Sequence, residues 1–171
     1  MGRKRKAASR GSLSHVSADG RARMVDVGSK EATHRSAVAE AWVEVGAEIA
    51  EAIRATGSVA KGSVLETARL AGILAAKRTA ELIPLCHPIP IDSISVDAGV
   101  DGDRVRIVAR VASEGKTGVE MEALTAAAVA SLVIYDMVKS AAKGVSIGPI
   151  RLLEKRGGKS GSWTRKEAER G

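Results

Sequence analysis

The chain has 171 residues, enough for one domain with tails, and it contains no Phe, one Tyr and two Trp, so any core must be packed from Ala, Val, Ile and Leu. The net charge of +7 is concentrated at the ends: residues 1–10 hold five basic and no acidic side chains, and residues 154–171 hold six basic and three acidic ones. Residues 11–153 therefore sum to −1, which argues against a general nucleic-acid-binding coat.

In chain order, residues 1–12 read as a disordered basic tail: the charged start is followed by polar and small residues, not by the apolar stretch of a secretory signal. A single domain is expected over 13–161, and a second disordered tail over 162–171. Met24–Val27 is a short strand candidate. From Arg35 to Ala55 the positions Val38, Ala41, Trp42, Val45, Ile49 and Ile53 recur at three- and four-residue steps, which predicts an amphipathic helix stopped at Gly57. Ser63 and Glu66 form a capping-box pattern before a second helix running to about Arg78, and Pro84 prevents its continuation. Ile94, Val96, Ala98 and Val100 alternate, Asp101-Gly102-Asp103 turns the chain, and Val105, Ile107, Ala109 and Val111 alternate on the far side, which predicts a hairpin. A glycine-rich loop at 115–118 opens a third helix from Glu120 to about Ala142, with Gly144 beyond its end, and residues 145–154 form a last strand. Helices partly alternating with strands around an antiparallel hairpin predict an α+β fold, a ferredoxin-like sandwich with helices layered on one face of an antiparallel sheet. No run approaches the roughly 18 apolar residues of a membrane span. A single cysteine, Cys86, excludes an internal disulfide and fits a reducing, cytoplasmic setting.

Several segments carry groups suited to chemistry. Gly115-Lys116-Thr117 is not a P-loop, because Arg110 stands where the motif needs glycine; Gly158-Lys159-Ser160 fails likewise at Leu153. Both remain glycine-flanked lysines suited to phosphate contact. Leu85-Cys86-His87 lies between Pro84 and Pro88, so a restrained imidazole sits beside a thiol. Three histidines and one cysteine match no zinc spacing, and no metal is expected. Glu120 and Glu122 flank Met121; they share a face if the chain is extended there and diverge by about 200° if it is helical. Asp136 and Lys139 lie three apart near the end of the same helix, an ordinary ion pair if exposed. Burial among cations would instead depress the Lys139 pKa and suit it to proton transfer. Lys61 stands in a small-residue loop before the second helix.

Together, Lys61-Gly62, Thr67–Pro88, Gly115–Ala127, Ile134–Lys139 and Ile147–Gly161 resemble the cyclic pyranopterin monophosphate synthase family of molybdenum cofactor biosynthesis. The resemblance covers about Leu13 to Gly161. It implies a lyase that converts 3′,8-cyclo-7,8-dihydroguanosine 5′-triphosphate to cyclic pyranopterin monophosphate with release of pyrophosphate, without a cofactor. By position, the family's catalytic Asp falls on Asp136 and its essential lysines on Lys61 and Lys139. Its substrate-contacting Leu-Cys-His falls on Leu85, Cys86 and His87, and its Glu-Met-Glu on Glu120, Met121 and Glu122. The basic groups around the phosphates would be Arg35, Lys77, Lys155 and Lys159. The resemblance also implies a homohexamer, a trimer of dimers with sites at dimer interfaces. Ser63, where the family often has Asp, and Val59-Ala60, where it is often polar, are departures that bear on loop geometry. A catalytically inactive nucleotide-binding oligomer of the same fold is the alternative. An RNA-binding sheet is disfavoured, because strands 93–100 and 104–111 carry no aromatic residue for base stacking.

Overall fold

The computed structural model describes residues 20–56, 58–59 and 62–166. Expectations for the tail at 1–12, for Gly57 and for Lys61 fall outside the described residues. Along the chain run β1 (Thr33–Glu44), α1 (Ala47–Thr56), β2 (Ser58–Val59), β3 (Gly62–Ser63), α2 (Val64–Lys77) and α3 (Thr79–Leu82). These are followed by β4 (Ser93–Asp101), β5 (Arg104–Gly115), α4 (Glu120–Val138), β6 (Ser146–Arg156) and β7 (Trp163–Thr164). Five strands form an antiparallel sheet in the order β4-β5-β1-β6-β7, and β2 with β3 forms a separate two-stranded ribbon. The fold is α+β and ferredoxin-like, with the helices against one face of the sheet.

The predicted hairpin is present, with Asp101 opposite Arg104 and Gly102 in the left-handed region at φ +61°. The helix expected over Arg35–Ala55 is overturned in its first half, which is the central strand of the sheet. The three-four spacing noticed there competes with a strict alternation of Ala37, Ala39, Ala41, Val43 and Val45, all buried. Pairing with β5 on one side and β6 on the other settles the contest, because tertiary burial overrides the helical preference of alanine. Gly46, at φ +81°, separates this strand from α1, which keeps Ile49, Ala50 and Ile53 of the expected helix on its buried face.

Ser63 does occupy the N-cap of α2, but it makes no capping hydrogen bond, and Glu66 pairs with Arg69 instead. Helix α4 stops at Val138, short of Ala142, because Lys139 and Ser140 leave the core. Met24–Val27 is not a strand; it runs as irregular chain past the N-terminal end of α4. Trp163 and Thr164 pair with Lys155 and Glu154, so regular structure extends past Gly161, into the stretch expected to be a tail.

The small-residue composition sets the packing distance. Ala123, Ala126, Ala127 and Ala130 of α4 face the alanine stripe of β1, and α2 crosses α4 at Gly72. A Cβ on Gly72 would stand 3.0 Å from the Ala126 carbonyl oxygen, 3.2 Å from a Val96 methyl and 3.3 Å from the Ala130 Cβ. Gly72→Leu should therefore destabilise by about 2 kcal/mol through overpacking. For Gly72→Ala, a helix-propensity gain of about 0.5–1 kcal/mol offsets much of the crowding, leaving it near neutral. Urea unfolding of both variants at one protein concentration checks this; an equal loss in the two would show that backbone crowding, not side-chain volume, decides.

Helix α4 has the length and hydropathy of a membrane span, but 56% of that window is buried inside the fold, so it reads as the core helix. The opposite face of the sheet is open and polar. There Glu40, 2% exposed, is clasped by Arg106 and Arg151 at 2.8 and 2.7 Å. Burial pushes its carboxyl up, but the hydrogen bonds from Arg151 and Arg106 outweigh it and hold the pKa below the usual value. Trp42 lies beside it under Arg104 and Arg106, at 4.3 and 5.5 Å from the guanidinium carbons.

Candidate active site

A cavity of about 310 Å³ opens at the N-terminal end of α4. Leu85, Cys86 and His87 line one side, and Glu120, Met121 and Glu122 line another, so two motifs separated by more than thirty positions in sequence meet there. The segment carrying Cys86 is tied to the end of β5: Ser113 Oγ donates to the Pro90 carbonyl at 2.6 Å, and Asp92 accepts the Glu114 N–H at 2.6 Å.

Because α4 begins at Glu120, the two carboxylates diverge as the helical alternative requires. Glu120 turns toward β6 and pairs with Lys155 Nζ at 3.0 Å, and Lys155 also reaches Ser160 Oγ at 3.1 Å. The Glu120 carboxylate folds over Gly118, where a Cβ would fall 1.8 Å from its Oε2, so a side chain there would displace that carboxylate. Glu122 points inward and is 3% exposed. Burial pushes its carboxyl from 4.5 to about 7; a backbone hydrogen bond pulls the other way, and the charge of Glu120 adds to the rise. The Cys86 thiol is also raised, first by burial and then by Glu122.

Cations gather at the same end of the helix. Arg35, on β1, donates from Nε to the Gly115 carbonyl at 2.8 Å. Its guanidinium lies against Gly158, whose φ of +72° and close approach leave no room for a side chain. Lys159 follows in that turn and is exposed, while Lys77 is exposed at the end of α2, outside the cavity lining.

The sequence did not single out the strap of residues 24–30. Val25 and Val27 dip into the cavity and Lys30 stands on its rim. The strap is fastened by His87, whose Nε2 donates to the Val25 carbonyl at 2.8 Å, and by Lys116, whose Nζ donates to the Gly28 carbonyl at 2.7 Å. The available signal was the alternation of Val25 and Val27 around Asp26, which marks one apolar face of an extended chain, whether or not it pairs in a sheet.

Asp136 and Lys139 are not in this cavity. They form an exposed ion pair at 2.6 Å, at the other end of α4. The Asp136 hydrogen bond and charge raise the Lys139 pKa, the reverse of the depression that burial among cations would bring. From Glu122 to Asp136 the helix axis spans about 21 Å at 1.5 Å per residue, so within one chain the two groups do not share a substrate.

Residues 24–158 match the model of the MoaC family. Three bacterial proteins named cyclic pyranopterin monophosphate synthase are similar over nearly their whole lengths. That of Novosphingobium aromaticivorans is 52% identical over 151 residues, covering 88% of this chain and 96% of its own. That of Thermomicrobium roseum is 52% identical over 159 residues, covering 92% and 95%. That of Brucella ovis is 54% identical over 157 residues, covering 90% and 93%.

Proposed function

The chain belongs to the MoaC family, and from that premise we propose that it is a cyclic pyranopterin monophosphate synthase of molybdenum cofactor biosynthesis. It is a phosphorus–oxygen lyase that takes 3′,8-cyclo-7,8-dihydroguanosine 5′-triphosphate to cyclic pyranopterin monophosphate and pyrophosphate. The observation that carries the reading is the cavity at the head of α4, where acid–base groups and cations adjoin. Rebuilding a purine into a pterin needs repeated proton transfers, each worth about 10²–10⁴-fold when the group is positioned. A triphosphate needs cations, and Arg35, Lys155, Lys159 and Lys77 are the groups for it, with Lys30 added on the rim. Leu85, Cys86, His87 and Glu120 through Glu122 hold the ring system. Asp136 and Lys139 complete the catalytic set from the far end of the helix, together with Lys61, which the resemblance assigns to it.

The separation of those two sets favours a shared site. Met121, Leu132 and Tyr135 of α4 are 37, 58 and 37% exposed, an apolar outer face on a core helix. Two copies laid antiparallel along that face, about a two-fold axis near the helix midpoint, bring Asp136 of each to the cavity of the other. A trimer of such dimers is the hexamer implied by the resemblance, working in the cytoplasm on a small molecule, with neither membrane nor nucleic acid.

The test is incubation of the purified protein with enzymatically prepared cyclised GTP, following pyrophosphate release and the fluorescence of the oxidised pterin. Stoichiometric formation of both is expected. Tight binding without turnover would favour the inactive nucleotide-binding alternative, and neither binding nor turnover by a folded oligomer would overturn both.

A further inference from the structure

Glu120 and Glu122 stand two residues apart on one helix turn and yet occupy opposite environments. Glu120 is half-buried and neutralised by Lys155 at 3.0 Å, and that lysine is held in turn by Ser160. Glu122 lines the cavity at 3% exposure, and among the described residues no cation lies within ion-pairing distance of it. Around it, the groups that face the cavity come from several elements. Glu120 shares its helix, with Lys155 of β6 engaged upon that residue. Cys86 and His87 come from the segment after α3, and Lys30 from the strap. Arg35 of β1 is turned to the Gly115 carbonyl. His87 donates its Nε2 proton to the Val25 carbonyl, so that proton is committed to the strap. Cys86 is a half-buried thiol whose pKa is raised, which favours its protonated form. Glu122 is therefore the acid at the cavity that no cation among the described residues holds ionised, its hydrogen bond being to backbone.

Resting on the function assigned above, we propose that Glu122 is the proton carrier of this half of the site, donating its carboxyl proton to a ring nitrogen as the purine is opened, whereas Glu120 stays ionised and anchors Lys155. In the step, a water oxygen bonds to the ring carbon and the electron pair of the breaking C–N bond goes to nitrogen. The nitrogen takes the proton of Glu122, and the water proton passes to a base. Glu122, left as carboxylate, recovers a proton from a later intermediate that must lose one. Two neighbouring carboxyls whose surroundings separate their protonation states in this way divide acid from anchor. The division explains why, among the described residues, one cation serves this pair of carboxyls at the helix N-terminus: a second would ionise Glu122 and remove the acid.

The decisive experiment compares wild type, Glu122→Gln and Glu120→Gln with cyclised GTP across pH, alongside a ¹³C-carboxyl NMR titration of glutamate-labelled oligomer. Wild-type kcat should fall as pH rises through about 7, where Glu122 loses its proton. Glu122→Gln should lose about 10²–10⁴-fold in kcat with KM within a few fold, and its residual rate should show no such fall. The carboxyl resonance titrating near 7 should vanish in Glu122→Gln alone. Glu120→Gln should instead raise KM, by freeing Lys155, and keep the fall in kcat with pH, moved to lower pH because the Glu120 charge no longer lifts the Glu122 carboxyl. An active wild type paired with a Glu122→Gln protein within threefold of it, or still falling above pH 7, would overturn the assignment alone. A wild type that turns nothing over overturns the function and this assignment together.

Discussion

Asp136→Asn protein should lose about 10²–10⁴-fold of its turnover while keeping its fold and oligomeric mass, because an exposed carboxylate is replaced by its isostere. A second variant, Arg35→Ala with Lys155→Ala, should be similarly crippled at the other end of α4, where it removes two of the cations gathered around the cavity. The informative result lies in the mixture. If each site is built from the cavity of one chain and Asp136 of its partner, a mixed dimer carries both lesions in one site and none in the other. Equal amounts, co-expressed so that chains assort at random, give mixed dimers in half the population, each with one intact site of two. Recovery of about a quarter of wild-type turnover is then expected from two inactive parents. If all catalytic groups came from one chain, every site would carry a lesion and the mixture would stay dead. Near-normal turnover by Asp136→Asn itself would remove that residue from the mechanism.

What could be read from the sequence divides along a physical line. The hairpin of β4 and β5, helix α2 and the start of α4 were legible because local signals agreed there: alternation with a Gly102 turn, a serine before a 3.6-residue pattern, and a glycine-rich loop before an apolar run. β1 was misread because its residues satisfy two periods at once. Ala37, Ala39 and Ala41 count as helix formers in isolation, and only β5 and β6 on either side make them a central strand. In the site, motifs near helix ends were found, including the order-of-two spacing of Glu120 and Glu122. Their unequal fates were not legible, since Lys155 arrives from β6, thirty-five positions away. The strap of Val25, Val27 and Lys30 escaped for the same reason: its partners, His87 and Lys116, are distant in sequence and reach it through side chains to backbone carbonyls. Lys139 was read under two alternatives, and exposure beside Asp136 selects the ordinary ion pair within one chain.

The buried Glu122 should also be measurable in the stability of the protein, whatever its chemical role. Its carboxyl sits at about 7 in the native state against an ordinary 4.5. Below pH 4.5 both native and unfolded chains hold the proton, and Glu122 costs nothing in charge burial. Between 4.5 and 7 the unfolded chain gives up its proton while the native protein retains it, so stability declines as pH rises through that window. Above 7 the penalty is complete, about 3 kcal/mol at roughly 1.4 kcal/mol for each pH unit. Glu122→Gln has no proton to lose, so its stability relative to wild type should grow by about 3 kcal/mol from pH 4.5 to 8. Urea unfolding at fixed protomer concentration measures this, since an oligomer's apparent stability depends on concentration. A constant difference across that range would mean that Glu122 is ionised in the native protein. The carboxylate would then need a cation that the described residues of one chain do not provide, and a lysine from the facing subunit is the group to seek. A difference that grows as expected means the fold gives up stability at neutral pH to keep a protonated acid beside the cavity.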